Sequence, residues 1–247
     1  MRNIWTIALR EFKAYFVSPV AYIVAAVIFL VIGILFSLVM ISTMQQFGQG
    51  GAPGAQLVTN PLMFVLVFTC PAITMRLLSE EQRLGTLELL LTAPVRDWEV
   101  VVGKWLGSLM FVLAVVAVTW IYPIILNQMV DPGIDQGLLV TGYLGVVLVT
   151  AAFLGIGIAV SSLFSNQVAS FLTTFGILVM LWWLLGIGAR YSGSLGSTIF
   201  NYLDFSRQFY DVFSQGVIEL SSVIYMLSIT ALSLFLCTVS VEMRRWR

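Results

Sequence analysis

The sequence predicts an all-α integral membrane protein with six transmembrane helices, in a single domain covering residues 1–247. Two observations predict this. The chain is 60% hydrophobic and only 10% charged, with a mean hydropathy of +1.00, against roughly 45–50% apolar and 25% charged in a soluble domain. The apolar residues also gather into repeated runs of the ~20 residues that a helix rising about 1.5 Å per residue needs to cross a hydrocarbon core of about 30 Å.

Taken in order, the chain begins with Asn3, Thr6, Arg10 and Lys13 at helical spacing on one face, while Trp5, Ala8, Leu9, Phe12 and Phe16 fill the other. This reads as an amphipathic helix lying in the membrane interface, the other reading being a polar start to the first span. That span, 20–41, is too long for a signal-peptide core and no A-x-A cleavage site follows it. The second, 57–78, contains Cys70-Pro71. A mid-helix proline removes a backbone hydrogen bond, giving a bend that either flexes or is held static by a neighbouring helix. Further spans are expected at 100–125, 138–163, 168–188 and 220–241. In the fourth, Gly155 and Ala159 follow the small-xxx-small pattern that lets helices approach closely, within one subunit or between two. The aromatics Trp120, Tyr122, Trp182 and Trp183 read either as interface-belt and packing residues or as the lining of a pathway.

Lys and Arg set the orientation. Arg2, Arg10, Lys13, Arg76, Arg83, Arg96, Lys104, Arg244, Arg245 and Arg247 fall on one side of a six-span chain, and only Arg190 and Arg207 on the other. The positive-inside rule then puts both termini in the cytoplasm of a multi-pass protein of the inner (plasma) membrane.

Composition also excludes function classes. The interiors of the spans carry no charge, with Arg76 and Lys104 at their ends, whereas ion-coupled carriers, proton pumps and voltage sensors place charged side chains within the membrane. There is no histidine. No paired carboxylates or activated nucleophile appear, so no catalytic, cofactor or metal site is expected in this chain. Cys70 and Cys237 stand apart in apolar surroundings and read as buried small residues. No basic surface for nucleic acid is visible. The Gly103-Lys104 pair lacks the remainder of a phosphate-binding loop, so any nucleotide hydrolysis belongs to a partner.

One stretch departs from this apolar background. SEEQRLGTLELLLTAPVRDWE, residues 79–99, packs Glu80, Glu81, Arg83, Glu88, Arg96, Asp97 and Glu99 together. Ser79 with Gln82 fits a capping box, Glu80 and Glu81 suit a helix N-terminus, and Leu84, Leu87 and Leu91 give an apolar stripe. Gly85 interrupts this helix, Pro94 ends it, and Asp97 caps the next. The result is a short amphipathic element at the membrane surface, exposing Glu81, Arg83 and Glu88 for docking on a cytoplasmic protein.

The run MRLLSEEQRLGTLELLLTAPVRDWEVVVGKW, residues 75–105, resembles the cytoplasmic segment of type-2 ABC exporter permeases. Arg76, Glu81, Arg83, Gly85, Thr86, Glu88, Pro94, Gly103 and Lys104 fill the places of that pattern. The closing part of the chain, from YLDFSRQFYDVFSQGVIEL onward, is similar to the subgroup of gliding-motility-associated and copper-enzyme-maturation exporters. The resemblance implies two permease subunits, as a homo- or heterodimer, above two separate ABC ATPase subunits that bind ATP and magnesium. It makes the segment after the second span, including Glu80, a coupling helix seated on the ATPase, with Gly103 and Lys104 at the entry of the third span. It further implies short re-entrant helices between the fifth and sixth spans, from 192–215. A competing function is a non-transporting membrane anchor for a multiprotein assembly such as gliding machinery.

Overall fold

The computed structural model describes residues 2–45, 54–85, 96–130 and 133–245. The described residues are mostly helical, without strands. Helix α1 (Arg2–Val17) precedes α2 (Pro19–Gln45), α3 (Gln56–Thr74) and the short α4 (Ser79–Leu84). Then come α5 (Asp97–Val118), α6 (Ile121–Met129) and α7 (Gln136–Ser161). Helix α8 (Gln167–Val179) passes through a π turn, Met180–Leu184, into α9 (Leu185–Tyr191). The short α10 (Ser194–Leu203) and α11 (Phe205–Arg207) lead through a second π turn, Gln208–Val212, towards the final α12 (Leu220–Arg245).

Six helical stretches are long and apolar enough to cross a membrane: Pro19–Ser42, Gln56–Leu84, Asp97–Met129, Gln136–Ser161, Gln167–Tyr191 and Leu220–Met243. Their burial differs sharply. The most apolar windows of the second and fourth are each 72% buried, whereas those of the first, fifth and sixth are 22%, 28% and 33% buried. Helices α3 and α7 therefore form the inner pair, and α2, α8 and α12 wrap it with apolar faces turned outward, as a bilayer solvent permits.

Helix α3 stays helical through Pro61 and Pro71 and ends three residues beyond Pro71. The second stretch breaks at the turn 75–78 before α4, and the third breaks midway. Thr119 and Trp120 form a turn between α5 and α6, and Pro123, lacking an N–H, stands within the first turn of α6, where that donor has no intrahelical acceptor. The Thr119 hydroxyl lies 3.0 Å from the Tyr143 hydroxyl, which joins this turn to α7. Gly155 packs on Thr230 and Ser233 of α12, so that small residue serves helix contact within the chain.

Between α9 and α12 the chain is pinned by phenylalanines. Phe205, Phe209 and Phe213 are all fully buried. Phe205 stacks on Phe153 of α7 at 5.7 Å, and Phe209 lies 6.2 Å from Trp182. At this end Gln56 donates to the Ser214 carbonyl at 2.7 Å and the Ser214 hydroxyl bonds Asn60 at 3.0 Å. The start of α3 thus belongs to this end of the bundle, and its other end leads to α4.

Candidate functional site

The charged segment is built around α4. Its first turn carries Glu80 and Glu81 and its last turn Arg83, each with the sign that suits the helix dipole. Gly85 ends the helix in the left-handed conformation at φ 69°, where a side chain would be strained. Gly85 thus closes α4, where the sequence placed an interruption, and the expected continuation to Pro94 lies outside the described residues. Thr86, Glu88 and Pro94, with Leu87 and Leu91, lie outside the described residues.

Ser79 is not the cap of this helix. Leu78 holds that position, and the Ser79 hydroxyl bonds back to the Met75 carbonyl. The free N–H groups are met from another helix, because the Ser161 hydroxyl at the end of α7 accepts from Leu78 N and Ser79 N, both at 3.1 Å. Gln82 likewise turns to α7's end and donates to the Ser162 carbonyl at 2.8 Å. The local capping box is thus replaced by a tertiary one, which fastens α4 to the turn between α7 and α8. Asp97 is also displaced from its expected role. Arg96 is the residue before α5, and the Glu99 carboxylate accepts from Arg96 N at 3.1 Å and from Asn3 Nδ2 at 3.2 Å.

Helix α1 lies against α5 at backbone distance. A Cβ on Gly103 would stand 2.8 Å from the Ile7 side chain, and one on Gly107 would stand 2.6 Å from Glu11 Cβ and 2.9 Å from the Ala8 carbonyl oxygen. Only glycine at both positions allows this approach. The docking face of α1 is Ile7, Ala8, Glu11 and Tyr15, between the polar and apolar faces of the sequence reading, while Trp5 and Phe16 remain exposed. Tyr15 stacks on Phe111 of α5 at 4.8 Å. Burial, with the Glu11 carboxylate adding to it, pushes the Tyr15 phenol above the usual tyrosine range.

These contacts converge on Lys104. It lies two turns inside α5, deeper than an entrance position, with its side chain only 3% exposed. Its Nζ is 2.8 Å from Glu11 Oε1 on α1 and 2.8 Å from Glu81 Oε1 on α4. A buried ammonium needs such partners, since desolvation without them costs several kcal/mol. Glu81 accordingly faces inward, 18% exposed, and is not displayed for docking as the sequence predicted. Arg83 and Leu84 are exposed instead. Glu80 pairs with Arg76 at 3.3 Å, and Arg76 also donates to the Ser18 hydroxyl at 3.1 Å. Glu11, Tyr15, Arg76, Glu80, Glu81 and Lys104 surround a pocket of about 300 Å³.

The arrangement is a joint between four helices. It ties α1, α4 and α5 through charge-assisted bonds and α4 to α7 through serines, and among the described residues no group of His, Cys, Asp or Glu is placed to hold a metal. Glu11 and Ser161 are the central members that sequence reasoning missed, with Tyr15, Ser18 and Ser162 beside them. A signal for Glu11 existed: it is the acid one turn beyond Ile7 and Ala8, and a lysine inside an apolar helix demands an acidic partner. Ser161 carried none, because its role depends on where α7 ends relative to α4.

A helical bundle with six membrane-crossing stretches and a charged joint at one end defines a multi-pass membrane protein. The family described as ABC-2 family transporter protein matches residues 5–240, nearly the whole chain, and the protein belongs to that family. Among curated proteins, none matches the chain.

Proposed function

We propose that this chain is the permease subunit of an ATP-driven exporter, in which α4 receives the movement of a cytoplasmic ABC ATPase and passes it to the membrane helices. Family membership supports a transporter membrane component. The observation that carries the coupling role is Lys104, held at 2.8 Å by both Glu11 and Glu81. A push on α4 displaces Glu81. Through Lys104 and Glu11 the displacement reaches α5 and α1, and through Gln82 and Ser161 it reaches the end of α7. Close packing makes such a unit move as a body more readily than it deforms.

In this reading two permeases, identical or different, pair above two ATPase subunits that bind ATP and magnesium, and tilting of the coupled helices opens a pathway between the permeases. Arg83, Leu84 and the following residues through Thr86, Glu88 and Pro94 form the docking surface. Lys and Arg distribution supports an inner-membrane location with cytoplasmic termini, and the family resemblance supports a re-entrant pair at the outer leaflet from the segment 192–215. The similarity of the tail extends this to the gliding-motility and copper-enzyme-maturation subgroup.

The test is copurification from native membranes, comparing wild type with Arg83→Glu and Glu81→Ala/Glu88→Ala. An ABC ATPase that accompanies wild type, is weakened by Arg83→Glu and is uncoupled by the double variant is the expected result. If no ATPase appears and the variants behave as wild type, the non-transporting anchor takes the place of this reading.

A further inference from the structure

At the end of the bundle away from α4, the π turns and α9 line a second, open cavity of about 560 Å³. Asp204 lies at its base, 5% exposed. Its Oδ1 accepts from Ser206 N at 2.9 Å and from the Ser206 hydroxyl at 2.7 Å. Its Oδ2 accepts no hydrogen bond among the described residues, and it reaches over Gly186, where a Cβ would stand 2.6 Å away. This oxygen is not sealed off from the cavity, so a ligand there can supply its donor. Trp183 and Tyr210 line the same cavity, each presented by a π turn. Such turns are rare and concentrate at functional sites. Tyr210 is set by Trp182, whose ring is 5.6 Å away at 71°. At the rim stand two guanidinium groups: Arg190, exposed and without an acidic partner among the described residues, and Arg207, half-exposed and 3.3 Å from Asp211.

By exposure, Asp204 lies deepest, Trp183 and Tyr210 are half-buried, and both guanidinium groups lie shallow together with the exposed Asp211 carboxylate that pairs with Arg207. From this layering we infer that the cavity binds a zwitterionic phosphoamine headgroup, its ammonium on Asp204 Oδ2 beside Trp183 and Tyr210, and its phosphate at Arg190 and Arg207. Aromatic faces attract cations, and guanidinium groups match phosphate oxygens. A neutral sugar would leave the buried carboxylate uncompensated. The inference depends on the exporter reading only for placing the cavity at the outer leaflet. Binding is measured without the ATPase, so either idea can fail alone.

The experiment titrates the full chain, purified in a detergent without amine headgroups, with glycerophosphoethanolamine, ethanolamine, glycerol 3-phosphate and glucose, followed by tryptophan fluorescence and calorimetry. Glycerophosphoethanolamine is expected to bind saturably and more tightly than either half. Asp204→Asn, which can still accept the Ser206 bonds, should weaken it at least tenfold. Arg190→Gln should weaken it at least fivefold while leaving ethanolamine unchanged, and this variant carries the test if Asp204→Asn does not fold. Reconstitution into nanodiscs of phosphatidylethanolamine that abolishes the soluble probe's binding, where phosphatidylglycerol discs do not, identifies a lipid as the source. Undiminished binding in both identifies a free phosphoamine. No saturable binding, an Asp204→Asn variant equal to wild type, or preference for glucose overturns the inference.

Discussion

Lys104→Met keeps most of the length of the side chain and removes its charge. In the folded protein the Nζ is 2.8 Å from one oxygen of each carboxylate, so those oxygens are at most about 5.6 Å apart. Without the ammonium they repel by about 3 kcal/mol at an effective dielectric constant of about 20. Removing one member of a buried ion pair costs about 3–5 kcal/mol in general. The three side chains are only 3%, 16% and 18% exposed, so solvent screening takes little from that figure. The expected loss is therefore about 3–5 kcal/mol, read as a lowered unfolding temperature in a single detergent. The companion is Lys104→Met/Glu11→Gln/Glu81→Gln, which leaves no buried charge and should recover most of the loss. A single variant that loses less than about 1 kcal/mol, or a triple variant no better than the single, would refute the argument that Lys104 is held by these two acids.

Three further outcomes follow from the same end of the molecule. Gly107→Ala places a Cβ 2.9 Å from the Ala8 carbonyl oxygen, which cannot rotate away; α1 should lift from α5, with a loss of about 1–3 kcal/mol and faster proteolysis of the first 17 residues. Ser161→Ala leaves Leu78 N and Ser79 N without their acceptor, which should cost about 1–3 kcal/mol and raise hydrogen exchange at those two amides specifically. Because folded Tyr15 holds its proton above the usual range, its stabilising contribution is complete below about pH 10 and is lost as pH rises beyond it. Tyr15→Phe should flatten that alkaline limb of the stability profile relative to wild type.

The joint was partly legible in the residues. Lys104, Glu81 and Gly85 could be singled out because a charge or a turn residue stands out in an apolar chain. Their geometry could not. Ser79 with Gln82 satisfies the pattern of a local cap, yet Ser161 takes that role. A carboxylate in a charged segment reads as solvent-facing, yet Glu81 turns inward because Lys104 offers it a stronger partner than water.

The sequence by itself determined that this protein is a bundle of membrane-crossing helices, since the transfer of some twenty apolar residues into hydrocarbon is a local and nearly additive property. It also determined where the chain is charged. The tertiary structure alone decided which charges meet. Glu11 and Lys104 are 93 positions apart, and they touch because glycines at 103 and 107 let α1 lie flat on α5. Asp204 and Gly186 face each other because three buried phenylalanines, starting directly after Asp204, pin that part of the chain to the core. Such contacts arise from packing in three dimensions, and no periodicity along the chain encodes them.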